Sequence, residues 1–134
     1  MAAPNIVNVT TITGVTSAFS GIAVTTAGRG PLGVTTVASN PASSGKVLKI
    51  NSLVAAAIGS TTGVTVQYYD NAAHTGAANT VSIAHTASVP TFSSLVVISK
   101  ENSIYLPENT SLGAFSQQNT GGSIDIICSY EEIS

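Results

Sequence analysis

The sequence predicts an all-β fold, an antiparallel β-sandwich of which a jelly roll is one form, and three observations carry that expectation. Apolar residues recur at period two rather than 3.6. β-Branched Val, Ile and Thr outnumber the strong helix formers in nearly every stretch. Clusters of Gly, Pro, Asn and Ser interrupt these runs roughly every 8–12 residues, the spacing of short antiparallel strands. A β-solenoid would need a fixed repeat instead. Gly-Val-Thr recurs at 14–16, 33–35 and 63–65, and separations of 19 and 30 residues make no period.

The expected strands follow in chain order from these signals. The first covers 5–13 and the second 19–26, which Ala27-Gly-Arg-Gly-Pro31 closes. The third, 33–38, runs into Asn40-Pro-Ala-Ser-Ser-Gly45, and the fourth, 46–57, into Gly59-Ser-Thr-Thr-Gly63. Strands over 63–70, 79–85, 92–99 and 103–106 follow, with breaks at Asp70-Asn71 and Leu106-Pro-Glu-Asn109. The last two, 111–117 and 122–131, flank Gln117-Gln-Asn-Thr-Gly-Gly122.

Side chains alternate across a strand, so two of these segments assign their own faces. In 63–70, Val64, Val66 and Tyr68 are expected to face the core, with Thr65, Gln67 and Tyr69 opposite. In 122–131, Ile124, Ile126, Cys128 and Tyr130 form the apolar face and Asp125, Ile127, Ser129 and Glu131 the largely polar one. Lys46 to Ile58 and Phe92 to Ser99 place apolar groups on both sides, which implies burial on both faces or a neighbour pressed against them.

At 134 residues the chain suits one domain, 1–134, with a core that needs neither metal nor disulfide. Residues 1–45 hold a single charge, Arg29. They read either as opening strands of the same sandwich or as an N-terminal arm that orders on a partner, with Asn40 to Gly45 as hinge.

Only ten residues are charged, 7% of the chain, against roughly 25% in an ordinary domain. A surface built from Thr, Ser, Asn and Ala in place of ions is suited to lying against other protein, so self-assembly or docking is the first expectation. The net charge of −2 and four scattered cations offer no field for phosphates, so nucleic acid is not an expected partner. Leu53 to Ile58, the longest aliphatic stretch, is far below the roughly 20 residues of a spanning helix, and no membrane partner is expected. The opening residues lack the pattern of a secretory signal, which implies synthesis in a cytoplasm.

The sequence offers little catalytic chemistry, and the expectation is a non-enzyme without cofactor or metal. Nucleophilic catalysis needs a nucleophile, a base and an orienting group. The histidines are His74 and His85; Asp70 shares a loop with His74, and no serine sits in a Gly-x-Ser-x-Gly elbow. All the acids except Asp125 fall at turns or the C-terminal end, away from any paired-carboxylate cleft. His74, His85 and Asp70 lack the short spacing of a metal site, and Cys128, the lone cysteine, reads as a small core residue. Tyr69 and Phe115 are candidate contact aromatics, with core filling as the rival role. With Ile6, Val7 and Val9 of the opening segment, they form the expected interface set.

Several segments together carry a resemblance: Met1-Ala-Ala-Pro-Asn-Ile-Val-Asn-Val-Thr-Thr-Ile-Thr-Gly14, Gly45-Lys-Val-Leu-Lys-Ile-Asn-Ser-Leu53, Leu95-Val-Val-Ile-Ser-Lys100, Ile104-Tyr-Leu-Pro-Glu-Asn-Thr-Ser-Leu112 and Ser129-Tyr-Glu-Glu-Ile-Ser134. The chain resembles the small virion structural proteins of tailed phages, especially those infecting cyanobacteria and other marine bacteria. Gly14 to Ser44 matches least. The resemblance implies a non-enzymatic, multi-copy β-sandwich of the particle: a capsid decoration or cement protein on the head surface, homo-oligomeric, with the major capsid protein and copies of itself as partners. A neck, tail or fibre-attachment component is the alternative within the particle. A host-surface carbohydrate-binding module, using Tyr69, His74 and the 70–79 loop as its groove, is the alternative outside it.

Overall fold

In the computed structural model, residues 8–22, 34–59, 62–73, 80–116 and 123–134 are described. Among them nine strands form two antiparallel sheets: β1 (Ile12–Phe19), β2 (Thr35–Asn40), β3 (Val47–Ile58), β4 (Thr62–Tyr69), β5 (Thr80–Val89), β6 (Ser94–Ile98), β7 (Ile104–Leu106), β8 (Thr110–Ser116) and β9 (Ser123–Ile133). A short 3-10 turn, Lys100–Asn102, separates β6 from β7. One sheet has the order β1-β9-β3-β6, with β7 also paired to β3; the other has the order β2-β8-β4-β5. The all-β sandwich expected from the sequence is the fold observed.

The topology is a long hairpin rolled up. β4 pairs β5 at its tip, β3 pairs β6 and β7, β2 pairs β8, and β1 pairs β9. Rolling adds the contacts of β9 with β3 and of β8 with β4, which close the two sheets. With β6 and β7 counted as one interrupted edge strand, this is the strand arrangement of an eight-stranded jelly roll. Sequence-distant residues supply the core between the sheets: Ile50, Leu53, Ala55, Ile98, Ile124, Ile126 and Cys128 from one, and Val37, Val64, Val66, Leu112 and Ala114 from the other.

Both faces assigned from alternation are as expected: Val64, Val66, Ile124, Ile126 and Cys128 are buried in the core, with Tyr68 and Tyr130 packed against it. Besides the expected 79–85 strand, which runs on through Val89 because β4 pairs with it that far, two expectations need correction. The first strand lies at 12–19 rather than 5–13, because Ile12 to Phe19 pair residue for residue with Ile133 to Ile126 straight through Gly14. Of the expected 19–26 strand, residues 23–26 lie outside the described residues. The second correction concerns 92–99. A bulge opposite Leu53–Val54 inserts Val97, so Leu95, Val97 and Ile98 all reach the core while Val96 points outward and stays exposed. Doubled apolar residues there reflect a shift of pleat, not burial on both faces.

The same device recurs. The register jump between Thr36 and Ala38 lets Val37 and Ala38 both turn inward, and a jump in β5 does so for Ile83 and Ala84. Such bulges add local twist, which the sheets need to wrap round one core. At one end of the sandwich the buried side chain of Asn40, the last residue of β2, ties neighbouring segments together. Its Nδ2 donates to the carbonyls of Lys46 (2.9 Å) and Leu106 (3.0 Å), and its Oδ1 accepts from Ser44 Oγ at 2.6 Å. Gly45 N donates to Glu108 at 2.8 Å, so the β2–β3 turn is tied to the start of β8.

Candidate interaction surfaces

The outward face of the β1-β9-β3-β6 sheet is set by register, and its rows can be read across the strands. One row is Ala18, Ile127, Val54 and Val96, each directly opposite the next. Ile127 is 48% and Val96 58% exposed. Towards one end the next rows are Thr16, Ser129 and Ser52, then Gly14, Glu131, Lys49 and Tyr105. Towards the other lie Asp125, Ala56 and Ser94, then Ser123 and Ile58. An apolar band therefore crosses all four strands; the row on one side of it is small and uncharged, the row on the other holds Asp125 beside Ala56 and Ser94, and Glu131 and Lys49 stand two rows away.

Beside this band is an open depression of about 310 Å³, walled by Ala18, Phe19, Val54, Ala56 and Ile127 with Asp125 at its edge. The Asp125 carboxylate accepts from Gly21 N at 2.8 Å, which holds the chain leaving β1 beside the depression. On the far side of Ala56 stands Phe92, bordering a second shallow depression with Ile58 and Ser94. Phe92 is 84% exposed and adopts φ 57. It is the third residue of the turn Pro90-Thr91-Phe92-Ser93, in which Ser93 N donates to the Pro90 carbonyl at 3.1 Å. A left-handed backbone at that position ordinarily calls for Gly or Asn. An aromatic side chain held there in solvent is costly in both backbone and hydration terms, a combination that marks functional positions.

The outward face of the β2-β8-β4-β5 sheet is different in kind. Thr65, Gln67, Tyr69, Ser111 and Phe115 lie on it, yet all are buried, and β8 is buried along its whole length. The loop after β4 folds back over this face: Ser39 Oγ donates to the Ala72 carbonyl at 2.8 Å and Ser111 Oγ to the Asn71 carbonyl at 2.7 Å. Gln67 is fully buried with neither amide atom partnered. Of the interface set expected from the sequence, Tyr69 (4% exposed) and Phe115 (0%) are thus enclosed within the subunit. Val9 is half-buried beside Thr10 and Thr11, whose N–H groups donate to the Ser134 carbonyl; Ile6 and Val7 lie outside the described residues.

Among the described residues the titratable groups are not brought together into a reactive centre. His85 and Asp70 are exposed on separate segments, and His74 lies outside the described residues. Among the described residues no three side chains of metal-binding type come together. Lys46 Nζ meets Glu132 at 2.9 Å on the surface, a kind of pair worth about 0–1 kcal/mol. Cys128 is buried and its thiol is pushed up to about 12 by desolvation.

Sequence reasoning missed Ile127, Val96 and Phe92 as surface residues. The signal for Ile127 was present, since it is the one large aliphatic residue on the polar face of 122–131. Val96 was hidden by the bulge. Nothing in the residues around Phe92 distinguishes an outward turn position from a strand start.

No protein-family profile and no curated protein matches the chain. Among solved structures, a chain of the cyanophage Pam1 capsid asymmetric unit is similar at 19% identity and a TM-score of 0.30, over 98% of this chain and 91% of that one.

Proposed function

We propose that this chain is a non-enzymatic structural protein of a phage particle, a capsid decoration or cement protein on the head surface that binds major capsid subunits and its own copies. The observation that carries the reading is the outward face of the β1-β9-β3-β6 sheet: an exposed apolar band with Asp125 on one flank and the Glu131–Lys49 pair two rows away on the other. The low charge of the whole chain supports it, because uncharged polar faces enter contacts without the cost of desolvating ions. The segments that resemble phage virion proteins include parts of β3, β6 and β9.

The mechanism is additive. A standard interface buries about 800 Å² per partner, and a subunit held by several such contacts stays bound while any one opens. A protein that binds only the assembled shell raises the free energy needed to disrupt it. Quantifying this chain in purified particles and heating particles with and without it tests the proposal. Hundreds of copies, together with earlier release of DNA from depleted heads, is the expected result. Copy number near a dozen would move the protein to the neck or tail, and absence from particles would end the reading.

A further inference from the structure

We propose that the outward face of the β1-β9-β3-β6 sheet is a self-complementary contact, and that its occupant is a second copy of this chain related by a twofold axis. The inference rests on reading this face as a contact surface, but not on where in a particle the protein sits.

The argument begins with register. An axis lying in the plane of the contact, parallel to the strands and midway between β9 and β3, exchanges β9 with the partner copy's β3 and β1 with its β6. Positions along the strands keep their level. The row Ala18, Ile127, Val54, Val96 then meets its own reverse, so that Ile127 of each copy lies over Val54 of the other. Two rows away, Glu131 and Lys49 are directly paired neighbours on this face. The same operation sets Lys49 of each copy over Glu131 of the other, giving two complementary charge contacts at the margin. A twofold contact needs this kind of self-matching surface.

Shape agrees with charge. Phe92 and the 310 Å³ depression lie on opposite sides of Ala56. Exchanging the β6 side with the β1 side brings each Phe92 ring to the other copy's depression, between Ala18 and Ala56. An exposed aromatic anchor entering an apolar recess is the usual centre of binding energy, and it gives a reason for the left-handed backbone at Phe92. Extent is sufficient too. β1, β9, β3, β6 and β7 hold 8, 11, 12, 5 and 3 residues, which at about 3.4 by 4.8 Å each cover roughly 640 Å², at the lower end of the ~800 ± 200 Å² a side of a standard contact.

The test uses the purified full chain in sedimentation equilibrium, with circular dichroism to verify each variant's fold. The wild type is expected to be a concentration-dependent dimer. Phe92→Asn, which suits the turn and leaves the core untouched, is expected to weaken it by at least about tenfold. Lys49→Glu and Glu131→Lys each place like charges across the axis and are expected to be monomeric alone. Mixed together they are expected to form a heterodimer, since each supplies the charge the other lacks. A wild type that stays monomeric at every concentration, a dimer indifferent to Phe92→Asn, or a mixture that fails to associate would overturn the proposal. None of these results bears on the copy number of the chain in particles.

Discussion

Gln67 and Cys128 sit on neighbouring sheets, both fully buried, and their energetics run in opposite directions. The Gln67 amide has no partner for either its nitrogen or its oxygen, and a buried unpaired polar group costs about 1–3 kcal/mol. Gln67→Met keeps the length and removes both groups, so urea unfolding should show a gain of about 1 kcal/mol; a loss of stability would mean that the amide is bonded in solution. Cys128 is a satisfied core residue as long as it stays neutral. Its thiol rises from 9.0 to about 12 through burial, so above pH 9 the unfolded chain releases a proton that the folded one retains. The stability is complete below pH 9 and drains away as pH climbs towards 12, by about 1.4 kcal/mol per pH unit. Cys128→Ala should flatten that slope in urea titrations at pH 8 to 11. The core role of Cys128 was legible from simple alternation with Ile124, Ile126 and Tyr130. The burial of Gln67 was not, because alternation says which side of a strand a residue takes and nothing about what covers that side.

Strand limits were legible from apolar and β-branched runs between turn signals, whereas the face a residue takes was lost where a bulge intervenes. All but β1 and β5 fall within two residues of their expected limits, although β3 carries an extra residue at Asn51 opposite β9 and β2 one at Val37 opposite β8. β1 was displaced because exposed Gly14 carries no side chain to show the pattern, although its backbone pairs with Glu131 like any other residue. β6 was placed but its faces were misread, because one inserted residue reverses inside and outside for everything beyond it. Between elements, polar stitching does the positioning, and Asn40 is its centre. It holds the carbonyls of Lys46 and Leu106, so β2, β3 and β7 converge on one side chain. Asn40→Leu fills the space but strands both carbonyls, and chemical unfolding should report a loss of about 2–4 kcal/mol. An effect below about 0.5 kcal/mol would show that water replaces the amide without cost.

The rolled-hairpin topology makes the first strands as structural as the last, and this is the scale on which the sequence was least informative. Short-range patterns give strands and turns; they do not say that β1 pairs β9, over a hundred residues away, or that β2 pairs β8. Hence a stretch of Gly, Thr and Val favours opening strands of the same sandwich without excluding an appended arm over residues 1–45. The structure gives that stretch a specific mechanical meaning, because β1 and β2 are each the terminal strand of one sheet. Removing residues 1–45 would bare the edge of β9 in one sheet and of β8 in the other. It would also take Val37 and Ala38 from the core and Asn40 from the carbonyls of Lys46 and Leu106. Long-range pairings of this kind are formed together or not at all, since each has a loop-closure cost that only the others offset. A fragment covering 46–134 is therefore expected to lack a cooperative urea transition and to bind a hydrophobic dye such as ANS, as a chain with compact but unfixed packing does. The intact chain should give one sigmoidal transition followed alike by circular dichroism and tyrosine fluorescence. Should the fragment unfold cooperatively at the midpoint of the intact protein, residues 1–45 would be an arm laid on a self-sufficient domain, and β1 and β2 would add surface rather than stability.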